Sequence, residues 1–264
     1  MTTYISIVSQ KGGVGKTTTA VNLATCFAIG GFNTLLLDLD PQGSIRFSFG
    51  IQNPVQIGSK ELFLSSEFNP EMIHRTHTHK NLSFIFSNID TISEERETNR
   101  RAMAFDLLYN SLADNVKEFD IVIIDAPAST SNIALNALYC GDLIILPIQC
   151  ENLAIKSMKR FLSTFQEFQY KVKDKEIRLA GILLTMFDKN IQIHRRIAKQ
   201  LFNALSDCVF QTMIPHHESI LNSSVHGRSV LVHNLNSIGS IAYIHLMNEL
   251  IERHQEYFDL DSLA

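Results

Sequence analysis

The residues QKGGVGKTTTA, at positions 10–20, bring three glycines, two lysines and three threonines together between an apolar run and a stretch of helical period. Such a loop can hold phosphate. Glycines let backbone N–H groups approach an anion at a helix N-terminus, a lysine neutralises the terminal phosphates, and a hydroxyl serves Mg²⁺. Gly15, Lys16 and Thr17 fit the last three positions of the pattern G-x-x-x-x-G-K-[ST]. Gln10 stands where the pattern has its first glycine, and Lys11 is an extra cation ahead of Gly12 and Gly13. Lys11, Gly12, Gly13, Val14, Gly15, Lys16, Thr17 and Thr18 are therefore the candidate binding residues. Asp125 ends the apolar run IVIID, a position from which a carboxylate reaches a phosphate-bound Mg²⁺. Asp38 and Asp40 lie at the end of LLLDLD, where Asp38 reads equally as a metal-site carboxylate and as a turn cap.

A loop of this kind needs a strand before it and a helix after it. Runs rich in Val, Ile and Leu recur at 4–9, 34–39, 82–86, 120–124, 143–147, 179–185 and 209–214, and several are apolar at every position. Strands of that kind are buried on both faces, which predicts a parallel sheet covered by helices on each side. Helical period predicts helices over 16–29, 100–116, 131–139, 154–170, 191–205 and 240–257. The alternation predicts a doubly wound α/β fold of the P-loop type with a mainly parallel sheet, in one domain over residues 1–264. Residues 51–100, with Pro54, Pro70, a His-rich patch and the polar run TISEERETNRR, predict short peripheral helices and loops around one strand, or a mobile insertion.

Further segments follow the loop: LLLDLDPQG at 35–43, IVIIDAPAS at 121–129, LPIQCE at 146–151, GILLTMFD at 181–188, and IP…HG…GSIAY between Ile214 and Tyr243. In this order, and over nearly the whole chain, they resemble the ParA/MinD family of P-loop ATPases, whose phosphate loop is the deviant Walker A form. DPQG is similar to the ParA partition branch, and the short N-terminus to its small form. The resemblance implies an ATPase that uses ATP and Mg²⁺. Lys16 would hold the β- and γ-phosphates, Thr17, Asp125 and Asp40 would serve the metal, and Asp40 would also be the catalytic carboxylate that positions the attacking water. Lys11 would cross a dimer interface to the partner's nucleotide, making Asp40, Lys11 and Lys16 the catalytic set. Glu151 lies near that interface in the resemblance, either pairing with Lys11 when ATP is absent or acting only as a helix N-terminal carboxylate. Adenine would sit near Thr185, Met186 and Pro215, although a Met–Phe pair at a strand end reads equally as core. Relatives often carry DNA-contacting arginines where this chain has Asn190, His216 and Ile238, so Lys189, Arg195, Arg196, Lys199 and Arg228 are the remaining DNA-binding candidates.

Composition narrows the alternatives. A chain 45% hydrophobic and 19% charged, with net charge −4, is globular rather than disordered. Cys26, Cys140, Cys150 and Cys208 are scattered without a C-x-x-C pair, as reduced cysteines are, and give no zinc or iron–sulfur cage. His74, His77 and His79, and His216 with His217, lack metal-site spacing. Neither a signal peptide nor an 18-residue apolar window is present, so a cytoplasmic protein, nucleoid-associated by resemblance, is expected. Residues 156–199 hold eleven Lys/Arg against four Asp/Glu, either a solvated face or a polyanion-binding surface.

The expected function is a ParA-type ATPase: an ATP-dependent homodimer that binds double-stranded DNA nonspecifically and acts with a ParB-like stimulatory protein in plasmid or chromosome partition. The alternatives are a ParA-like ATPase that positions a protein cargo, and a MinD-like membrane-associated ATPase. Acidic residues Glu249, Glu252, Glu256, Asp259 and Asp261 near the C-terminus would be repelled by an anionic membrane, so no membrane partner is expected. A ligase on the same scaffold is disfavoured by DPQG, and an iron–sulfur carrier by the missing cysteine pairs.

Overall fold

The computed structural model describes residues 1–65, 67–75 and 80–260. His77, His79 and Asp261 lie outside the described residues. The elements in the first half are β1 (Thr3–Ile7), α1 (Lys16–Ile29), β2 (Thr34–Asp38), α2 (Ser44–Phe47), α3 (Glu61–Leu64), β3 (His74–Arg75), β4 (Leu82–Ile85), α4 (Ile92–Arg101), α5 (Leu107–Leu112) and β5 (Ile121–Asp125). The second half adds α6 (Asn132–Cys140), β6 (Leu143–Gln149), α7 (Ala154–Lys171), β7 (Arg178–Thr185), α8 (Gln192–Leu205), α9 (Glu218–Val225), α10 (Val230–His233) and α11 (Ile238–Arg253).

Seven strands form one sheet in the order β3-β4-β2-β5-β1-β6-β7, parallel throughout except for the short edge strand β3. Alternate residues of each inner strand enter opposite cores. Leu35, Leu37, Val122 and Ile124 face one side, while Leu36, Ile121 and Ile123 face the other. Both faces are covered by buried apolar side chains, which explains why these strands are apolar at every position. β1 lies between β5 and β6, so the chain crosses from one half of the sheet to the other at its C-terminal end. That crossing opens a crevice just where the glycine loop leaves β1.

Two sequence expectations need correction. The run 209–214 is not a strand. Phe210 and Ile214 still donate to the Ile182 and Leu184 carbonyls at 3.0 and 2.8 Å, but the Gln211 and Thr212 amides between them are taken by the Glu249 carboxylate at 2.7 and 2.8 Å. The ladder therefore breaks after isolated bridges. The helix expected over 100–116 is split, because Asn136 fills a gap in it. Its Nδ2 donates to the carbonyls of Ala102 and Ala104, and its Oδ1 accepts from the Leu108 amide at 3.0 Å. The polar run before it is helical: Thr91 and Glu94 form a reciprocal N-terminal cap, and Glu97 pairs with Arg100 and Arg101. Helices α9 and α10 were not anticipated, their short amphipathic pattern being hidden among Ser, Asn and His.

At the opposite end of the sheet, Lys175 closes the connection from α7 to β7. Its Nζ donates to the Cys140 carbonyl at 2.6 Å, pairs with Asp142 at 3.2 Å, and lies 4.2, 5.6 and 5.8 Å from the ring centres of Tyr109, Tyr139 and Tyr4. Arg178 is likewise engaged, with Glu176 and Glu256. Lys175 therefore serves internal structure, and Arg178, though exposed, is neutralised by two carboxylates, so neither adds free charge to the basic stretch 156–199. Lys175→Met keeps the aliphatic stem but removes the charge from the tyrosines and from Asp142. It is expected to destabilise the fold by about 2 kcal/mol in urea unfolding, and a change below about 0.5 kcal/mol would show the cluster to be incidental.

Candidate functional site

The site begins with backbone geometry. After β1 the chain turns through Gly13 at φ +76° and Gly15 at φ +84°, conformations that a side chain would strain. Gly15 caps α1 without any side-chain acceptor, so the first-turn N–H groups of that helix are left facing the crevice. From β7, the Thr185 hydroxyl donates to the Val14 carbonyl at 2.9 Å and ties the loop to the far half of the sheet. Lys16, at the start of α1, is buried.

Opposite this loop, β2 and β5 end in register on Asp38 and Asp125, both fully buried. Asp38 organises the next turn by accepting the amides of Asp40 at 3.1 Å and Ile45 at 3.2 Å. Burial and the adjacent Asp125 hold its pKa well above the ordinary carboxylate range. Asp125 is raised as well, chiefly by burial, against the pull of the Thr17 hydroxyl and the Lys16 ammonium. Neither Asp125 oxygen accepts a hydrogen bond of normal length and angle. A buried carboxylate left in that condition, next to a hydroxyl and below an anion-binding helix end, is a donor set that fits a small hard cation such as Mg²⁺.

These elements enclose a cleft of about 480 Å³. One end is polar, formed by Gly12, Gly13, Gly15, Lys16, Thr17 and Thr18 together with Asp40. The other end is apolar, formed by Met186, Ile214, Pro215, Ile220 and Leu221. Met186 has φ +49°, the one positive value outside glycine among the described residues, and this strain aims the strand end at the cleft. A polar end for phosphates and an apolar end for a flat base is the layout of a nucleotide site.

The comparisons agree with that layout. A family model for the AAA domain matches residues 2–179. The chromosome partitioning protein ParA of Myxococcus xanthus is 31% identical over 250 residues, covering 94% of this chain and 88% of that protein. The chromosome-partitioning ATPase Soj of Thermus thermophilus is 32% identical over 252 residues, covering 96% of each. The chain belongs to the ParA/Soj family of P-loop ATPases. Among solved structures, a Mycobacterium smegmatis protein named cobyrinic acid a,c-diamide synthase, holding an ATP analog and magnesium, superposes with a TM-score of 0.80 at 29% identity and covers 97% of this chain and 96% of its own.

Against the family's motif, the cleft gathers the loop residues, Asp40, Thr185, Met186 and Pro215, with Asp125 buried beside Lys16 and Thr17. Val14 is buried and contributes its carbonyl to Thr185. Lys11 is elsewhere: its Nζ is ion-paired with Glu151, at the start of the α7 approach. Lys189, Arg195, Arg196 and Lys199 are exposed on and just before α8, where Arg195 donates to the Lys189 carbonyl at 2.5 Å. Arg228 is exposed too, but in the turn between α9 and α10. Asn190, His216 and Ile238, the positions without arginine, are exposed. The four cysteines are unpaired, and among the described residues no cluster of three or more His, Cys, Asp or Glu could hold a metal. No helix among the described residues is long and apolar enough to cross a membrane.

Sequence reasoning missed Ile220 and Leu221, which become cleft walls only because α9 folds over it, and Tyr243, which backs the cleft from within a motif already visible. Gln42, within the DPQG turn, and Ser44, directly after it, were also within reach.

The Lys11–Glu151 pair has both side chains more than a third exposed, so it holds Lys11 by no more than about 1 kcal/mol. Glu151→Gln is therefore expected to raise the rate at which an amine-directed acylating reagent labels Lys11 by about two- to fivefold, read by peptide mass spectrometry without nucleotide. An unchanged rate would mean that the pair does not restrain the lysine in solution.

Proposed function

We propose that this chain is a Mg²⁺-dependent ATPase that cycles between a monomer and an ATP-bound dimer and serves partition of a plasmid or chromosome. The observation that carries the chemistry is the orphaned, buried Asp125 carboxylate lying between Lys16, Thr17 and an uncapped helix N-terminus. Support for the partition role comes from the relatives named ParA and Soj and from the DPQG turn.

In this reading the first-turn amides of α1 and the Lys16 ammonium bind the β- and γ-phosphates of ATP, in a site dry enough for each contact to count. Thr17 and Asp125 hold Mg²⁺, which offsets phosphate charge when bound. Asp40, held on the turn that Asp38 organises, orients water towards the terminal phosphate. The base packs between Met186, Pro215 and the wall made by Ile220 and Leu221. Lys11 exchanges Glu151 for the nucleotide of a second subunit, so ATP joins two copies. The exposed cations of α8 from each subunit then lie along one duplex, while a ParB-like partner stimulates turnover. A protein cargo is the alternative that uses the same cycle. The synthase named above shares the fold, and ATP turnover by this chain alone, with no acid to amidate, separates the partition reading from that chemistry.

Lys16→Ala is expected to weaken ATP binding by calorimetry at least about a hundredfold, close to 3 kcal/mol. Asp40→Ala should keep ATP affinity and lose about a hundredfold or more in turnover, and chelation of Mg²⁺ should abolish turnover in both wild type and variant. Lys11→Ala should lose the ATP-dependent rise in mass measured by light scattering at about 1 μM protein, while still binding nucleotide.

DNA binding has its own test. With ATP, a mobility shift on unrelated duplexes should weaken with salt at about −0.9 in log–log slope per phosphate contact, and Arg195→Ala with Arg196→Ala should make that slope shallower. Absence of ATP-dependent binding at low salt would favour the protein-cargo alternative. Binding unchanged in the double variant would move the surface away from α8.

A further inference from the structure

The cations at the start of α7 take no part in the nucleotide site, and their placement is unfavourable for the helix that carries them. Over residues 152–166 the chain has Lys156, Lys159 and Arg160 and no Asp or Glu. All three are exposed, and among the described residues none has an ion-pair partner. Lys156 stands three and four positions before Lys159 and Arg160, the spacings at which like charges on a helix repel. The three also occupy the first two turns, the positive end of the helix dipole, where no side chain caps α7 and its first turn holds no acidic residue.

Beside these cations lies a groove of about 230 Å³, formed by α7, β6 and the loop that leaves β1. Its floor is apolar and buried, made by Leu146 and Ile148 of β6 with Met158 and Phe161 of α7. Its rim is polar, with Ser157 and Arg160 contributed by α7 and Lys11 by the loop. Lys156 lies one turn before Arg160 on the same side of the helix, so it flanks the groove, whereas Lys159 points away round the helix. The groove has under half the volume of the nucleotide cleft, which is about 480 Å³, and so has room for an apolar side chain rather than for a nucleoside.

Charge and shape together select the occupant. Duplex nucleic acid is held through its phosphates, which need exposed cations but no recessed apolar floor. A protein segment uses both, an apolar anchor in a pocket and charges of opposite sign on the rim. We propose that this groove docks a partner protein through an acidic peptide segment, with one apolar side chain on the floor and flanking carboxylates on Arg160 and Lys156. The docking does not rest on the ATPase reading. It meets that reading at one residue: Lys11 lines the groove while paired with Glu151, so a docked carboxylate adds to the hold on that lysine.

Fluorescence anisotropy of the full chain without nucleotide tests this, with a labelled short peptide in which two leucines are flanked by glutamates. Binding in the tens of micromolar is expected at about 50 mM salt, weakening as salt rises. Arg160→Glu should weaken it at least about tenfold, whereas Lys159→Glu, the same charge change about 100° round the helix, should cost about threefold or less. Both substitutions bring a carboxylate towards the positive end of α7, which favours the fold, and unchanged thermal unfolding checks it. A peptide with serine in place of leucine should bind at least about fivefold more weakly, and saturating acidic peptide should lower the rate of Lys11 acylation about twofold or more. Absence of binding at low salt would overturn the proposal. Equal loss in the two variants, or equal affinity for the serine peptide, would overturn it by leaving only diffuse attraction, and unaltered Lys11 labelling would place the docking elsewhere. A short DNA duplex that displaces the peptide and loses its own binding in Arg160→Glu would overturn it too, since these cations would then serve nucleic acid. The ATPase reading is judged separately by the Lys16 and Asp40 variants, whose outcomes do not depend on this groove.

Discussion

Charge cannot be buried in a sheet whose two faces are both covered by apolar side chains, except where the strands end. Asp38, Asp125 and Lys16 are buried at one such edge, and the rest of the architecture follows from keeping them there. A pair of neighbouring carboxylates raises its own pKa by burial and mutual repulsion, so the arrangement is costly without cations. Lys16 supplies one. The unmatched oxygens of Asp125 call for another, and the residues around it are the right type for a hard divalent ion. The strand order makes this possible, because the crossing beside β1 leaves the carboxyl ends of β1, β2 and β5 open to a crevice rather than to a covering helix.

Several contacts with no chemistry of their own hold the loops in place. Thr185 fixes the glycine loop from the far half of the sheet. Asp38 spends both carboxylate oxygens on backbone amides and so shapes the turn that carries Asp40. The turn-cap reading of Asp38 has these two amide contacts behind it. Pre-set geometry matters here because electrostatic stabilisation of phosphate charge is effective only when the groups need not reorganise.

Much of this was legible in the sequence. Uniformly apolar runs identified the inner strands, and the glycine loop marked the first crevice residue, because each signal reflects a local necessity: two-sided burial or positive φ. What escaped depended on single long-range side chains. Nothing near residues 209–214 reveals that Glu249, some 37 positions on, will take two of its amides, and nothing near 100–116 reveals that Asn136 will interrupt a helix. Edge strand β3 has two residues and no periodicity to detect. The base end of the cleft was only partly visible because Ile220 and Leu221 acquire their role from where α9 packs, not from their spacing.

The two lysines of the loop differ in the way a switch requires. Lys16 is buried, and removing its charge would strand two carboxylates, so it is committed to the site. Lys11 is partly exposed and paired with one glutamate in water, a contact cheap enough to exchange. In the proposed cycle, the terminal phosphate of a second subunit's nucleotide would offer Lys11 more negative charge than Glu151 does, so transfer would be favoured only while that phosphate is present. In that proposal, release of the phosphate after hydrolysis would remove the charge and free the lysine to return to Glu151. Coupling of the proposed kind between nucleotide state and assembly would require no large rearrangement of the sheet: one weak surface pair and one buried cation, five residues apart, would suffice.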